Sequence, residues 1–173
     1  MPKVTGPLMS MSASGTVGGT ITFDKRGFVR QRVIPTNPKS DAQGNVRQML
    51  LAVQKTLTLL GAAAIAAVKT LAPVAYRWNS YLLSQVLGSN SANFEAARTE
   101  FAALTAPQQA DWNTRAAALG ITQQSIPYAT DPAISPGLAL YAVARALFLL
   151  GLNVAAGAPA AANFDAWGDY FES

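Results

Sequence analysis

SDAQGNVRQMLLAVQKTLTLLGAAAIAAVKTL, residues 40–71, reads as helix almost throughout. Ser40 with Gln43 three residues on is a capping-box signature, which predicts a helix start at this point. Val46, Leu50, Val53, Leu57, Leu60, Ala64, Val68 and Leu71 follow in steps of three or four, one helical face over about 30 residues. Gly61 inside the run costs about 1 kcal/mol relative to Ala and predicts a kink or break.

Downstream the helical pattern continues. Pro73 fits the first turn of a helix over about 73–87 that stops near Gly88. Asn90 or Ser91 opens another over about 92–104, carrying Phe94, Ala97, Phe101 and Leu104. Thr105-Ala106-Pro107-Gln108 is a second capping box, and its helix ends before Gly120. Residues 121–134 have no period and read as a loop. Ser135-Pro136 caps a long helix with Leu138, Tyr141, Ala142, Arg145 and Leu149, closed by Gly151. An Ala-Pro, four residues, Trp-Asn pattern occurs twice, at 72–79 and 106–113. It predicts a duplicated helical hairpin in which Pro starts the second helix and Trp folds back to anchor the corner.

Upstream the character changes. Residues 1–19 are rich in Gly, Ser and Met and read as an arm that orders on meeting a partner. Thr20-Ile21-Thr22-Phe23 alternates as a strand, Asp24-Lys25-Arg26-Gly27 is turn-like, and Phe28 to Ile34 reads as the returning strand. Pro35 and Pro38 end it. The expected organisation is an extended arm and β-hairpin over 1–39, a helical bundle over 40–151, and an Ala/Gly-rich acidic-aromatic tail over 152–173. The fold class is mainly α: a small helical bundle from a duplicated helical hairpin, with an N-terminal β-hairpin arm.

Composition narrows the function classes. There is no Cys and no His, which removes disulfides, thiolate and imidazole catalysis and most zinc sites. Glu95 and Glu100 lie five apart on their helix, a poor spacing for an acid–base pair. Asp165, Asp169 and Glu172 read as an acidic tail rather than a metal site, and Gly15, Gly18 and Gly19 lack the Gly-Lys-Ser/Thr of a phosphate loop. The expectation is a protein that is not an enzyme, with no cofactor and no metal. Met1-Pro2-Lys3 is not followed by an apolar run of the secretory kind. The uncharged stretches 56–68 and 146–164 read as buried or interface helix rather than membrane spans.

Only 13% of residues are charged, about half the usual share, which suits a surface covered by other protein. Residues 1–77 carry ten Lys/Arg and two acids, and residues 78–173 carry three and seven, a polarity suited to head-to-tail contact between copies. Lys25, Arg26, Arg30 and Arg32, interleaved with Phe23 and Phe28, form the strongest basic cluster. Phe164, Trp167 and Phe171 share a helical face beside acids, so the tail of one subunit is expected to meet the basic hairpin of the next. The alternative is nucleic-acid binding by a basic two-stranded ribbon.

Ala13-Ser14-Gly15-Thr16-Val17-Gly18-Gly19-Thr20-Ile21, Phe28-Val29-Arg30, and Val33-Ile34-Pro35-Thr36-Asn37-Pro38-Lys39-Ser40 with Gln43 and Arg47 give the chain a further likeness. With the Leu104 to Asn113 turn and the closing segment Ser125 to Gly151, it resembles a loose family of small tailed-bacteriophage virion structural proteins. The family's aromatic, Lys-rich hairpin tip is missing here. The resemblance implies a structural protein located in the virion and made in the host cytoplasm. Its role would be capsid decoration (cement) or a neck or tail component, with copies of itself and other virion proteins as partners and no membrane.

Overall fold

The computed structural model describes residues 15–17, 21–23, 29–31, 39–88, 91–130 and 133–173, the first three segments as backbone only. The chain divides into two units, Met1–Pro38 and Lys39–Ser173. In the first, β1 (Gly15–Val17), β2 (Ile21–Phe23) and β3 (Val29–Gln31) pair antiparallel in that order, with Thr22 opposite Arg30 and Phe23 opposite Val29. β1 falls in the stretch that carries no strand signal in the sequence.

The second unit is helical: α1 (Asp41–Leu57), α2 (Ala62–Leu71), α3 (Trp78–Leu87), α4 (Ala92–Ala102), α5 (Ala106–Ala118), α6 (Pro136–Leu149) and α7 (Phe164–Glu172). The helix broken at Gly61 appears as α1 and α2, bent 114° apart. Gly61 is extended at the N-cap of α2, and the backbone of Phe171 and Ser173 passes so close that a side chain there would overlap it. The glycine therefore both breaks the helix and seats the end of α7. Ser40 sits at the N-cap of α1 but makes no side-chain cap, and Gln43 Oε1 is buried without a hydrogen bond, so the expected first capping box is not closed.

α6 is the centre. It packs against α1, α3, α4 and α5. Leu138, Leu140, Val143 and Leu147 are buried around its whole circumference, with Ala139, Ala142, Ala144 and Ala146 between them. The single stripe expected from sequence is too narrow: a helix apolar on every side is a buried helix. Each large aliphatic side chain buried there contributes roughly 1.5–3 kcal/mol. Ser135 Oγ accepts from the Leu138 N–H at 3.2 Å, and Pro136 sits at the first position. α5 crosses α6 at Gly137, whose hypothetical Cβ would stand 2.7 Å from the Asn113 backbone nitrogen.

Both glycine stops act as expected. Gly120 (φ +80°) donates to Ala117 O while Ile121 donates to Ala116 O, and Gly151 (φ +77°) donates to Phe148 O while Leu152 donates to Leu147 O. Each is a Schellman closure needing a left-handed residue that only glycine adopts without strain. Residues 121–130 and 133–134 lie in the expected loop, with Ile121 and Ile134 buried and Gln124 paired to Ile134. The loop straps α1: Gln48 Nε2 donates to Gln124 O at 2.8 Å, and Ala129 lies against Gly44.

Two expectations fail. The sequence repeat is not a structural repeat: α5 begins at the Ala-Pro step, but α3 begins only at Trp78, five residues after Pro73. Thr105 and Gln108 close a capping box around Pro107, with the Thr105 N–H donating to Gln108 Oε1 at 2.9 Å. The matching positions in the first copy hold Leu71 and Val74, which cannot cap. The chain there makes a turn instead, Tyr76 N–H to Pro73 O at 2.8 Å. Nor are residues 152–173 a separate tail, because they belong to the second unit and complete its core.

Candidate interaction surface

The sequence assigns partner contacts to two sets of residues. Of the first, Phe23 and Arg30 lie in β2 and β3, where the backbone alone is described; Lys25, Arg26, Phe28 and Arg32 lie outside the described residues. The second set lies largely inside the body. Trp167 and Phe171 are fully buried, and Phe164 packs partly buried against Trp112 at 6.5 Å between ring centroids. Trp167 and Phe171 are thus interior, while Phe164 keeps part of its ring at the surface.

They are held by a short acceptor strip. Trp167 Nε1 donates to Gly157 O at 3.2 Å, Tyr141 Oη to Pro159 O at 3.0 Å, and Trp112 Nε1 to Ala160 O at 3.0 Å. Buried indole and phenol tips need such partners, and four residues without a charge supply all three. Asn163 shapes the strip, donating to Ala156 O and Ala158 O at 2.7 Å and accepting from Ala160 N at 2.8 Å. Rings continue the core edge to face, Phe101 to Tyr141 at 5.7 Å and Tyr141 to Trp112 at 5.2 Å. Burial, then the nearby Glu100 carboxylate, pushes the Tyr141 hydroxyl up to about 12. Glu100 is held by Arg145 Nε at 2.9 and 3.0 Å.

The α7 carboxylates gather around one cation. Arg115 on α5 lies over Gly168, where any side chain would overlap its guanidinium, and reaches Asp169, Glu172 (3.4 Å) and Asp165 (3.9 Å). Three exposed acids thus share one partly buried arginine, leaving a surplus of two negative charges. Among the described residues no group of His, Cys, Asp or Glu is placed to hold a metal.

The apolar surface left bare lies elsewhere. Between α2 and α3, Leu71 and Tyr76 are exposed and Val74 is fully so. Lys69 and Arg77, also exposed, flank them without an ion pair among the described residues. Beside this corner an open groove of about 400 Å³ runs between α1 and α3, lined by Leu57, Trp78 and Leu83 with Gln54, Thr58, Asn79 and Ser80. Sequence reasoning missed the corner because it spread a helix over it; the absence of a capping residue before Pro73 was the available signal. No single described helix is long and apolar enough to cross a membrane, although α1 and α2 together have the length and composition. Against known proteins, the sequence matches no family model and no curated protein, and the fold matches no solved structure.

Proposed function

We propose that this chain is a structural virion protein of a tailed bacteriophage, a capsid decoration or a neck or tail component, that works by assembly. Its N-terminal β-hairpin arm adds strands or basic contacts to a neighbouring protein, and the helical body supplies shape. The observation that carries the reading is the division of charge between the two units, together with the apolar side chains left bare on the helical one. Residues 1–38 hold five Lys/Arg against one acid, whereas residues 39–173 hold eight of each. The body buries its aromatics wholly or in part except for Tyr76, which it leaves bare together with Leu71, Val74, Leu149 and Val154. The sequence resemblance adds the virion setting.

The test is gradient purification of particles from cells making this chain with its neighbouring gene products. The chain is expected to travel with particles at a repeated copy number, and glutamate at Lys25, Arg26, Arg30 and Arg32 is expected to release it. Absence from every particle fraction overturns the reading.

A further inference from the structure

The assembly reading leaves open which surfaces of the body meet. The corner between α2 and α3 combines three exposed apolar side chains, Leu71, Val74 and Tyr76, with two cations that have no partner among the described residues, Lys69 and Arg77. The α7 face has the opposite make-up: Asp165, Asp169 and Glu172 with a surplus of two negative charges, and the small exposed Ala162 and Ala166 beside them. Surplus matches surplus, and the alanines let bulky apolar groups approach the α7 backbone closely. We infer that the α2–α3 corner of one copy docks on the α7 carboxylate face of a second copy. This deepens the assembly reading and rests on it.

Within one molecule the two patches are separate. The end of α7 rests on Gly61 at the start of α2, and the corner lies at the far end of that ten-residue helix, about 15 Å along its axis. A contact between two different patches is heterologous, so it propagates head to tail and yields a ring where the rotation closes or a filament where it does not. The arm remains available for other virion proteins.

The test is sedimentation of the full chain with paired charge reversals. Wild type is expected to exceed the monomer mass of 18.1 kDa at low salt and to fall toward it as added salt screens the charges. Lys69→Glu with Arg77→Glu gives a molecule acidic on both patches. Asp165→Lys with Glu172→Lys gives one basic on both, with Asp169 kept for Arg115. Each alone is expected to associate about tenfold or more weakly, because like charges then face each other. Mixing the two restores complementary pairs and is expected to restore assembly in alternating order. Val74→Asp, at a fully exposed position, is expected to weaken association while leaving thermal unfolding unchanged. A wild-type chain that stays at 18.1 kDa at every concentration overturns the inference, as does a mixture that fails to reassemble. Wild-type assembly indifferent to all these changes removes the corner-to-α7 contact while leaving the virion reading to the particle experiment.

Discussion

Trp78-Asn79 and Trp112-Asn113 are the same dipeptide in the same local pattern, and the fold uses them in opposite ways. Trp112 is fully buried in the second turn of α5, bonded to Ala160 O and edge-on to Tyr141. Asn113 Oδ1 accepts from the Gly137 N–H at 2.8 Å and ties α5 to the start of α6. Trp78 is the first residue of α3, half-buried at the edge of an open groove, and Asn79 accepts only from its neighbour Ser80. A capping threonine separates the two outcomes. With Thr105 in place the helix begins at the Ala-Pro step and carries its Trp inward; with Leu71 there it begins later and the Trp stays at the rim.

That contrast sets the expected order of effects. Trp112→Ala removes a buried ring and strands the Ala160 carbonyl, for a loss of about 3–5 kcal/mol in urea unfolding. A loss below about 1 kcal/mol would mean the acceptor strip does not close the core. Tyr141 comes next. Its hydroxyl is raised from 10 to about 12 in the folded chain, so the unfolded chain releases its proton first. The stabilisation is complete below pH 10 and drains away as pH climbs through 12, an upper bound of roughly 2–3 kcal/mol. Tyr141→Phe is expected to flatten that alkaline limb relative to wild type.

Gly137→Ala forces a methyl against Asn113 and is expected to cost about 1–3 kcal/mol, seen as a lower Tm. Thr105→Ala should cost about 1 kcal/mol by loss of the cap. Leu71→Ala, at the matching position, removes no cap at all; equal losses at the two sites would refute the account of why the copies diverge. Trp78→Ala is expected to cost far less than Trp112→Ala, under about 1.5 kcal/mol in the same urea assay, since its ring keeps one side in the open groove.

Much of the helical layout was legible because it rests on local chemistry. Gly61, Gly88, Gly120 and Gly151 mark boundaries, and Phe94, Ala97 and Phe101 line the buried face of α4 as their spacing suggests. The buried face of α1 was legible in part: Val53 and Leu57 are buried as their spacing suggests, but Gln48, Met49, Ala52 and Thr56 also point inward, whereas Val46 is exposed. Two polar side chains hid that face from a hydrophobicity pattern, although Thr56 bonds to Ala52 O and Gln48 to the loop. The aromatic stripe Phe164, Trp167, Phe171 was visible, but its destination was not. Which face this short helix buries depends on distant partners, Trp112 against Phe164 and Arg115 against Asp169, and no local period encodes either.

The acceptor strip at 157–160 also orders events during synthesis. Tyr141 and Trp112 leave the ribosome before the carbonyls that will satisfy them. Until residues 157–171 emerge, the nascent chain holds a half-built interior with two aromatic donors in want of partners and the seats of Trp167 and Phe171 empty. A chain cut short in this region would keep its aromatic donors without acceptors and part of its core open, so the body is closed only once α7 is in place.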